Sequence, residues 1–217
     1  MAKSRYLKPT PATLTKEFLQ DNKRFYELDE EYDWVDATDR ILGLESFFHR
    51  WRQRTMLKVL HENGAGEPYL DAACGTGLFL RHLPRGSTGL DINPRNIEKA
   101  KQHAPNARLV VGDIEALPFP DHAFRTILFT EILEHIPDPS IMLSEVWRVL
   151  KPGGVVIGST PRHSIMWRLR PLSSTCPGEP FHREFSKEEL RETLKGYGDA
   201  NIQTKHLGMS WIFILRK

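Results

Sequence analysis

Short apolar runs alternate with helical segments from Tyr69 onward, and this alternation limits the possible folds more than any other feature of the chain. The runs lie at 69–70, 88–90, 108–111, 126–129 and 155–157, and two more strands are expected near 202–206 and 210–215. Parallel strands joined by crossover helices give this pattern. The sequence therefore predicts an α/β, doubly wound fold.

Capping signals mark the helices of this region. Asn93-Pro94 and Asp138-Pro139 each combine an N-cap residue with a proline suited to the first helical position. The second of these helices is expected to stop at 151–154. Ser186 with Glu189 forms a capping box ahead of a later helix.

The chain divides into two expected regions. Residues 1–66 lack alternation, but their apolar residues recur at helical intervals, which predicts an N-terminal helical cap. Residues 67–217 are expected to form the main domain. The proline-containing segment near 161–182 matches no regular structure, and we expect it to be a substrate lid, or else a segment that completes the core or makes a dimer contact.

Composition excludes several classes of protein. The 217 residues, of which 40% are hydrophobic and 27% charged, predict a globular domain with a real core, and a net charge of +2 does not by itself indicate binding to nucleic acid or membrane. Two cysteines exclude a disulfide framework and a Cys-rich zinc site. The absence of a signal peptide pattern and of a membrane-length apolar run predicts a cytoplasmic location without a transmembrane segment.

The most informative segment begins at the end of the first strand. A strand ending at Asp71 or Ala72 is followed by a turn of small residues and, we expect, by a helix that starts near Leu78. Such a turn brings backbone N–H groups close to a nucleotide-like ligand. The third glycine of the dinucleotide fingerprint is replaced by Leu80, which disfavours NAD and FAD.

Carboxylates end three successive strands. Asp71, Asp91 and Asp113 should meet at one edge, because the carboxyl ends of neighbouring parallel strands line one crevice. Asp91 can accept hydrogen bonds from ribose hydroxyls, and Asp113 from an exocyclic amine. This edge should repel phosphate-rich ligands and favour a cationic nucleoside.

Five ordered motifs between residues 69 and 160 resemble the class I S-adenosylmethionine-dependent methyltransferases. The likeness is closest to the small-molecule branch, which includes ubiquinone/menaquinone methyltransferase-like proteins of methyltransferase type 11. It implies a Rossmann-like, seven-stranded, mostly parallel sheet with an antiparallel last strand, and S-adenosyl-L-methionine as cofactor. The motifs are 71–77, Asp91, 112–113 with 117–119, 131–138 and 148–154.

The resemblance implies cofactor contacts at the turn after each of the first four strands. Asp91 would hold the ribose, Asp113 the adenine amine, and the glycines of the first turn the methionine. Tyr32 and Arg54 are candidates for covering the cofactor from the N-terminal region. The implied positions are Asp71, Ala73, Gly75, Gly77, Asp91, Ile92, Asp113, Ile114, Thr130, Glu131, Tyr32 and Arg54.

Two histidines are open to either a chemical or a structural role. His135 is the candidate general base, since it can titrate near neutral pH, but it could equally hold its loop by hydrogen bonds. His182 could face the substrate or anchor the loop before the capping box. Cys74 is expected to be a small packing residue, and no metal ligand set is predicted.

The resemblance implies methyl transfer to a small molecule: a quinone precursor, a lipid or another apolar or aromatic metabolite. The chain lacks an Asn-Pro-Pro-Tyr-like motif after the fourth strand, so a DNA acceptor is not expected. The rival hypothesis is a methyltransferase-like module that binds the cofactor or a partner protein without turnover. The methylated atom and the oligomeric state stay open.

Overall fold

A computed structural model describes residues 14–28, 33–40, 44–162, 181–205 and 209–217. Most of the proposed lid, 163–180, lies outside these ranges, as does Tyr32. The helices are α1 (Lys16–Leu28), α2 (Trp34–Asp39), α3 (Leu44–Asn63), α4 (Pro94–His103), α5 (Pro139–Val149) and α6 (Lys187–Thr193). The strands are β1 (Tyr69–Ala72), β2 (Thr88–Asp91), β3 (Arg108–Val111), β4 (Phe124–Thr130), β5 (Leu150–Pro161), β6 (Asp199–Lys205) and β7 (Ser210–Arg216).

The seven strands form one sheet with the order β3-β2-β1-β4-β5-β7-β6. The pairs from β3 to β5 are parallel, and β7 runs antiparallel to both β5 and β6. The predicted α/β fold and its antiparallel last strand are thus confirmed. The order reverses between β1 and β4, and the crevice at such a switch point is where ligands bind in open α/β sheets.

The capping signals are confirmed at three helices. Asn93 accepts a hydrogen bond from the Arg95 N–H at the start of α4. Asp138 accepts one from the Ser140 N–H at the start of α5. Both partners of the capping box, Ser186 and Glu189, are bonded at α6. α5 ends at Val149 as expected, but β5 then begins at once, so 151–154 lies within a strand.

The prediction of a helix that starts near Leu78 is wrong. A turn occupies 75–79, and only a 3-10 helix, Leu80–His82, follows it. Pro84 explains the short length, because the residue before a proline is pushed out of the helical region. Leu83 accordingly has φ −80° and ψ 160°.

The core has two principal hydrophobic clusters. The larger one joins the sheet to α5 and α6, with Phe129, Phe185 and Phe213 fully buried. The second joins α2 and α3 to the sheet through Val35, Met56 and other apolar residues. None of the hydrophobic clusters formed by the described residues includes a residue of α1. Polar contacts and ring contacts hold that helix instead.

A search of the described helices finds none that is long and apolar enough to cross a bilayer. The cytoplasmic location stays a prediction.

Candidate functional site

The turn after β1 has the backbone of a ligand-binding loop. Ala73, Gly75 and Gly77 have φ values of 61°, 52° and 93°, in the left-handed region that favours glycine. A Cβ on Gly77 would lie 3.5 Å from the backbone of Ala100 in α4. The positive φ values, rather than a lack of space beside α4, therefore make glycine suited to this turn.

Asp91 ends β2 and is held by three N–H donors. Its Oδ2 accepts from the Gly75 N–H at 2.8 Å, and its Oδ1 accepts from the Asn93 N–H at 2.9 Å and from Asn96 Nδ2 at 3.1 Å. The carboxylate is buried and thus fixed against the glycine turn. Ile92, half-buried, follows it. The implied roles in holding ribose and adenine stay predictions.

Asp71 is the second carboxyl group under this turn. Its side chain is 1% exposed, and no partner for its Oδ2 is found in the described part of the chain. Burial, together with the charge of Asp91, raises the pKa of Asp71 to about 8. Burial also raises the pKa of Asp91 and that of the Cys74 thiol, so Cys74 is a packing residue rather than a thiolate.

These observations fit a cationic nucleoside better than an anionic one. A ligand with positive charge would favour ionised Asp71, while phosphates would face two buried carboxyl groups. The residues present therefore fit S-adenosylmethionine, which carries a sulfonium and an ammonium group.

Asp113 lies at the same edge, beyond β3, but is already paired. Its Oδ1 accepts from the Glu115 N–H at 2.9 Å, while Oδ2 lies 2.5 Å from Lys23 Nζ of α1. Lys23 also contacts Glu115 at 2.7 Å. Ile114 is buried in the main core, so only its backbone can serve a ligand. A role for Asp113 toward adenine therefore competes with Lys23.

The turn after β4 is strained at Glu131. This residue has φ 54°, which is costly for a side chain other than glycine and common at functional sites. Its N–H donates to the Ser159 carbonyl at 2.9 Å, and the Ser159 hydroxyl donates to its Oε1 at 2.7 Å. Arg52 lies 3.4 Å from Oε2. Thr130, half-buried, precedes it.

The N-terminal helices cover the glycine turn with residues that the sequence did not single out. Trp34 of α2 lies over Gly75, where an added Cβ would be 3.6 Å from its indole. The Arg52 guanidinium lies 5.5 Å from the Trp34 ring centroid. Arg54, the predicted arginine, is exposed on α3, so Arg52 is the arginine of that helix that reaches the site. Tyr32 lies outside the described residues.

His135 belongs to a polar and aromatic cluster beneath α1. Its Nδ1 lies 2.9 Å from the Tyr26 hydroxyl, and its Nε2 lies 3.8 Å from Glu134 Oε1. Its ring centroid is 5.3 Å from that of His182. Asn22 of α1 donates to the His135 carbonyl at 3.0 Å. The structure thus brings both predicted histidines together.

Asp33, Asp36 and His103 form a group close enough to hold a metal ion. Asp33 accepts from the backbone N–H groups of Val35 and Asp36 as the N-cap of α2, and Lys99 lies 3.8 Å from it. Helix capping and a nearby cation account for this group, and it carries no functional assignment.

Sequence analysis did not predict five residues of the site. They are Lys23, Tyr26, Trp34, Arg52 and Glu134, the last of which is a buried carboxylate. Tyr26 and His135 are separated by 109 positions, so no local pattern could have paired them. Arg52 and Arg54 both lie on α3, and only the three-dimensional position of that helix distinguishes their roles.

Comparison with known proteins supports this interpretation of the site. Residues 70–158 match the family model described as a methyltransferase domain. The matched residues run from β1 into β5 and include the glycine turn, Asp91 and Asp113. The match supports S-adenosylmethionine as the expected cofactor.

Curated proteins that are similar to this chain include three from bacteria. A probable S-adenosylmethionine-dependent methyltransferase of Mycolicibacterium smegmatis is 31% identical over 72% of this chain and 61% of its own length. A ubiquinone/menaquinone biosynthesis C-methyltransferase of Desulfotalea psychrophila is 39% identical over 52% and 48%, respectively. A demethylmenaquinone methyltransferase of Staphylococcus aureus is 33% identical over 64% and 58%. The chain thus spans roughly half to three fifths of the length of these relatives.

Solved structures show the same fold. Magnesium protoporphyrin IX methyltransferase from Synechocystis, with bound SAH, has a TM-score of 0.67 at 16% identity, covering 92% of this chain and 99% of that one. A possible histamine N-methyltransferase from Thermotoga maritima has a TM-score of 0.65 at 20% identity, covering 85% and 100%. At these identities, the likeness concerns the fold alone.

Proposed function

We propose that this protein transfers the methyl group of S-adenosylmethionine to a small aromatic acceptor, with a reduced quinone as the leading class. The observation that carries the proposal is the aromatic and imidazole cluster beside the cofactor edge. Phe18 and Phe181 have ring centroids 6.4 Å apart, and Tyr26, His135 and His182 lie next to them. Such a surface suits a flat, largely apolar ring that carries a hydroxyl group.

The cofactor would lie on the glycine turn. Asp91 would accept from the ribose hydroxyls, Asp113 from the adenine amine once Lys23 moves away, and the backbone near Glu131 would contact the methionine end. The bound cofactor supplies a methyl group that is already activated on a sulfonium. The chain then has to orient the acceptor and exclude water, which can account for much of the rate. Trp34 and α1 are the described parts placed to do so.

The named relatives support the choice of a quinone over other acceptors. Both the Desulfotalea psychrophila and the Staphylococcus aureus proteins carry names from quinone methylation. Their partial coverage means that the acceptor class comes to this chain only as a proposal.

Transfer of a labelled methyl group tests the proposal. The protein is incubated under reducing conditions with S-adenosylmethionine carrying a deuterated methyl group and with 1,4-naphthohydroquinone. Mass spectrometry should show one labelled methyl group on the naphthohydroquinone. Asp91→Ala should abolish the product at limiting cofactor, whereas Asp121→Ala, at an exposed position, should leave it unchanged.

A fractionated cell extract serves as the second acceptor source. A labelled product outside the aromatic class would contradict the quinone proposal but keep methyl transfer. Cofactor binding without any labelled product would instead favour the rival hypothesis, a binding module without turnover.

A further inference from the structure

A row of three polar side chains connects α1 with the segment that follows β4. The Tyr26 hydroxyl lies 2.9 Å from His135 Nδ1, and His135 Nε2 lies 3.8 Å from Glu134 Oε1. Both ring nitrogens of His135 therefore already have a polar neighbour. Direct proton abstraction by His135, the role considered from the sequence, would require one of these contacts to be broken.

The surroundings indicate where the imidazole proton lies. The Glu134 side chain is 2% exposed, and its other oxygen accepts from the Thr160 hydroxyl at 3.0 Å. A buried carboxylate beside Nε2 favours the tautomer that carries hydrogen on Nε2, which leaves Nδ1 as an acceptor. The Tyr26 hydroxyl then donates to Nδ1, since its alternative acceptor, the Phe181 carbonyl, is farther away at 3.5 Å.

The backbone of the row is fixed from both sides. Asn22 Nδ2 donates to the His135 carbonyl at 3.0 Å, and Asn93 Nδ2 donates to the Tyr26 carbonyl at 3.1 Å. Asn93 also donates its backbone N–H to Asp91. The row is thus joined by hydrogen bonds to the carboxylate expected to hold the ribose, which places it beside the cofactor edge.

Burial distinguishes the two ends of the row. Tyr26 and His135 are both half-buried, whereas the Glu134 side chain is 2% exposed. Because the two ring nitrogens of His135 face the other two members, an acceptor at the less buried end would contact the Tyr26 hydroxyl before the imidazole.

We propose that Tyr26 is the group that takes a proton from the methyl acceptor, with His135 receiving the Tyr26 proton and Glu134 stabilising the resulting imidazolium. The proposal rests on the proposed methyl transfer to a hydroxylated ring. The acceptor hydroxyl gives its proton to the Tyr26 oxygen as the hydroxyl proton of Tyr26 passes to His135 Nδ1. The imidazolium later loses one proton to water, so the protein returns to its starting state.

The tautomer of His135 can be measured without any turnover. Nitrogen-15 NMR of the free and SAH-bound protein should show Nε2 protonated and Nδ1 as a hydrogen-bonded acceptor. Tyr26→Phe should move the Nδ1 resonance toward that of an unbonded nitrogen, and Glu134→Gln should raise the fraction protonated at Nδ1. Tyr197→Phe, which removes an exposed hydroxyl bonded to Ser144, is the matched control and should change neither signal. A proton on Nδ1 in the unaltered protein would overturn the relay.

The rate provides the second readout, with 1,4-naphthohydroquinone as the probe. Tyr26→Phe should lower turnover about 100-fold or more, the usual range for a lost acid-base group, and should abolish the dependence of the rate on His135 ionisation. Cofactor affinity should stay within about two-fold of the original. An unchanged rate and pH profile would contradict the proposal. If the unaltered protein does not methylate the probe, the quinone proposal fails, while the NMR result still decides the role of Tyr26.

Discussion

Asp71 and Asp91 give the site its electrostatic character at the scale of single residues. Three N–H groups donate hydrogen bonds to the Asp91 carboxylate. The buried Oδ2 of Asp71, in contrast, has no hydrogen-bond partner among the described residues. The raised pKa of Asp71, about 8, means that this carboxyl group is largely neutral in the folded protein near pH 7. The site thus holds one carboxylate that is fixed and one that can ionise when a cation arrives.

We expect Asp71 to make the folded protein less stable as pH rises. Its pKa is higher in the folded state than in the unfolded state, so the folded state binds more protons between about pH 4 and pH 8, and the free energy of unfolding falls across that window. Asp71→Asn should remove this loss. Urea unfolding should show that the gain of the variant over the original protein grows from pH 5 to pH 8, by about 1.4 kcal/mol per pH unit. A difference independent of pH would show that Asp71 is ionised in the fold.

The residue-scale features were only partly readable from the sequence. The glycine turn and the three strand-end carboxylates follow from local spacing, because strand ends converge at one edge of a parallel sheet. The pairing of Asp113 with Lys23 and of His135 with Tyr26 joins distant segments, and no local pattern encodes it. Arg54 was predicted where Arg52 is found, since a helix turns by 100° per residue and the facing side cannot be read before the packing is known.

At the scale of elements, α1 is attached to the domain differently from α2 and α3. Besides the ring contacts of Phe18 with Phe181 and of Tyr26 with His135, its contacts are polar: Lys23 with Asp113 and Glu115, Asn22 with His135, and Tyr26 with Asn93. The only buried residue of α1 is Asn22. Each of these partners lies at the candidate site, so the docking of α1 and the binding of the cofactor use the same groups.

Removing the Lys23 ion pair should therefore strengthen cofactor binding. In Lys23→Met, Asp113 no longer has to give up a partner before it accepts the adenine amine. A partly exposed ion pair contributes about 0.2–1 kcal/mol, so calorimetry should show a gain in affinity of about 1.5- to 5-fold. Lys16→Met, at an exposed position of the same helix, is the control and should have no effect. Weaker binding by Lys23→Met alone would instead show that the lysine helps to hold the cofactor.

The elements themselves were largely predictable. All seven strands lie where apolar runs indicated, and the capped helices begin as expected, because these signals are local. The prediction of a helix near Leu78 was wrong because Pro84 prevents the helix from continuing. The antiparallel last strand came from the resemblance to a family and not from the pattern. The order of the strands was not predicted, since alternation fixes the class of sheet but not which strands are neighbours.

At the scale of the whole molecule, α2 and α3 share a hydrophobic cluster with the sheet. Val35, Met56, Val59 and Leu60 pack with residues of β4, β5 and β7. The domain boundary after residue 66 stays a prediction. We expect unfolding to be cooperative across it, because removing α3 would expose one face of the sheet.

Met56→Ala tests this coupling. The side chain is fully buried, so the substitution should lower the free energy of unfolding by about 2–5 kcal/mol. Circular dichroism and tryptophan fluorescence should report the same shifted transition in urea. Phe47→Ala on the same helix should cost less than about 0.5 kcal/mol, since Phe47 is 56% exposed. Two separate transitions would mean that the N-terminal helices unfold independently of the sheet.

The central claim is that the turn after β1 and the Asp91 carboxylate bind S-adenosylmethionine, and isothermal titration calorimetry tests it most directly. The protein should bind S-adenosylmethionine and SAH but not NAD. Asp91→Ala should weaken binding by about 1.5–3 kcal/mol, because the ribose hydroxyls lose a charged acceptor. Binding of NAD without binding of S-adenosylmethionine, or unchanged affinity in a folded Asp91→Ala protein, would contradict the account.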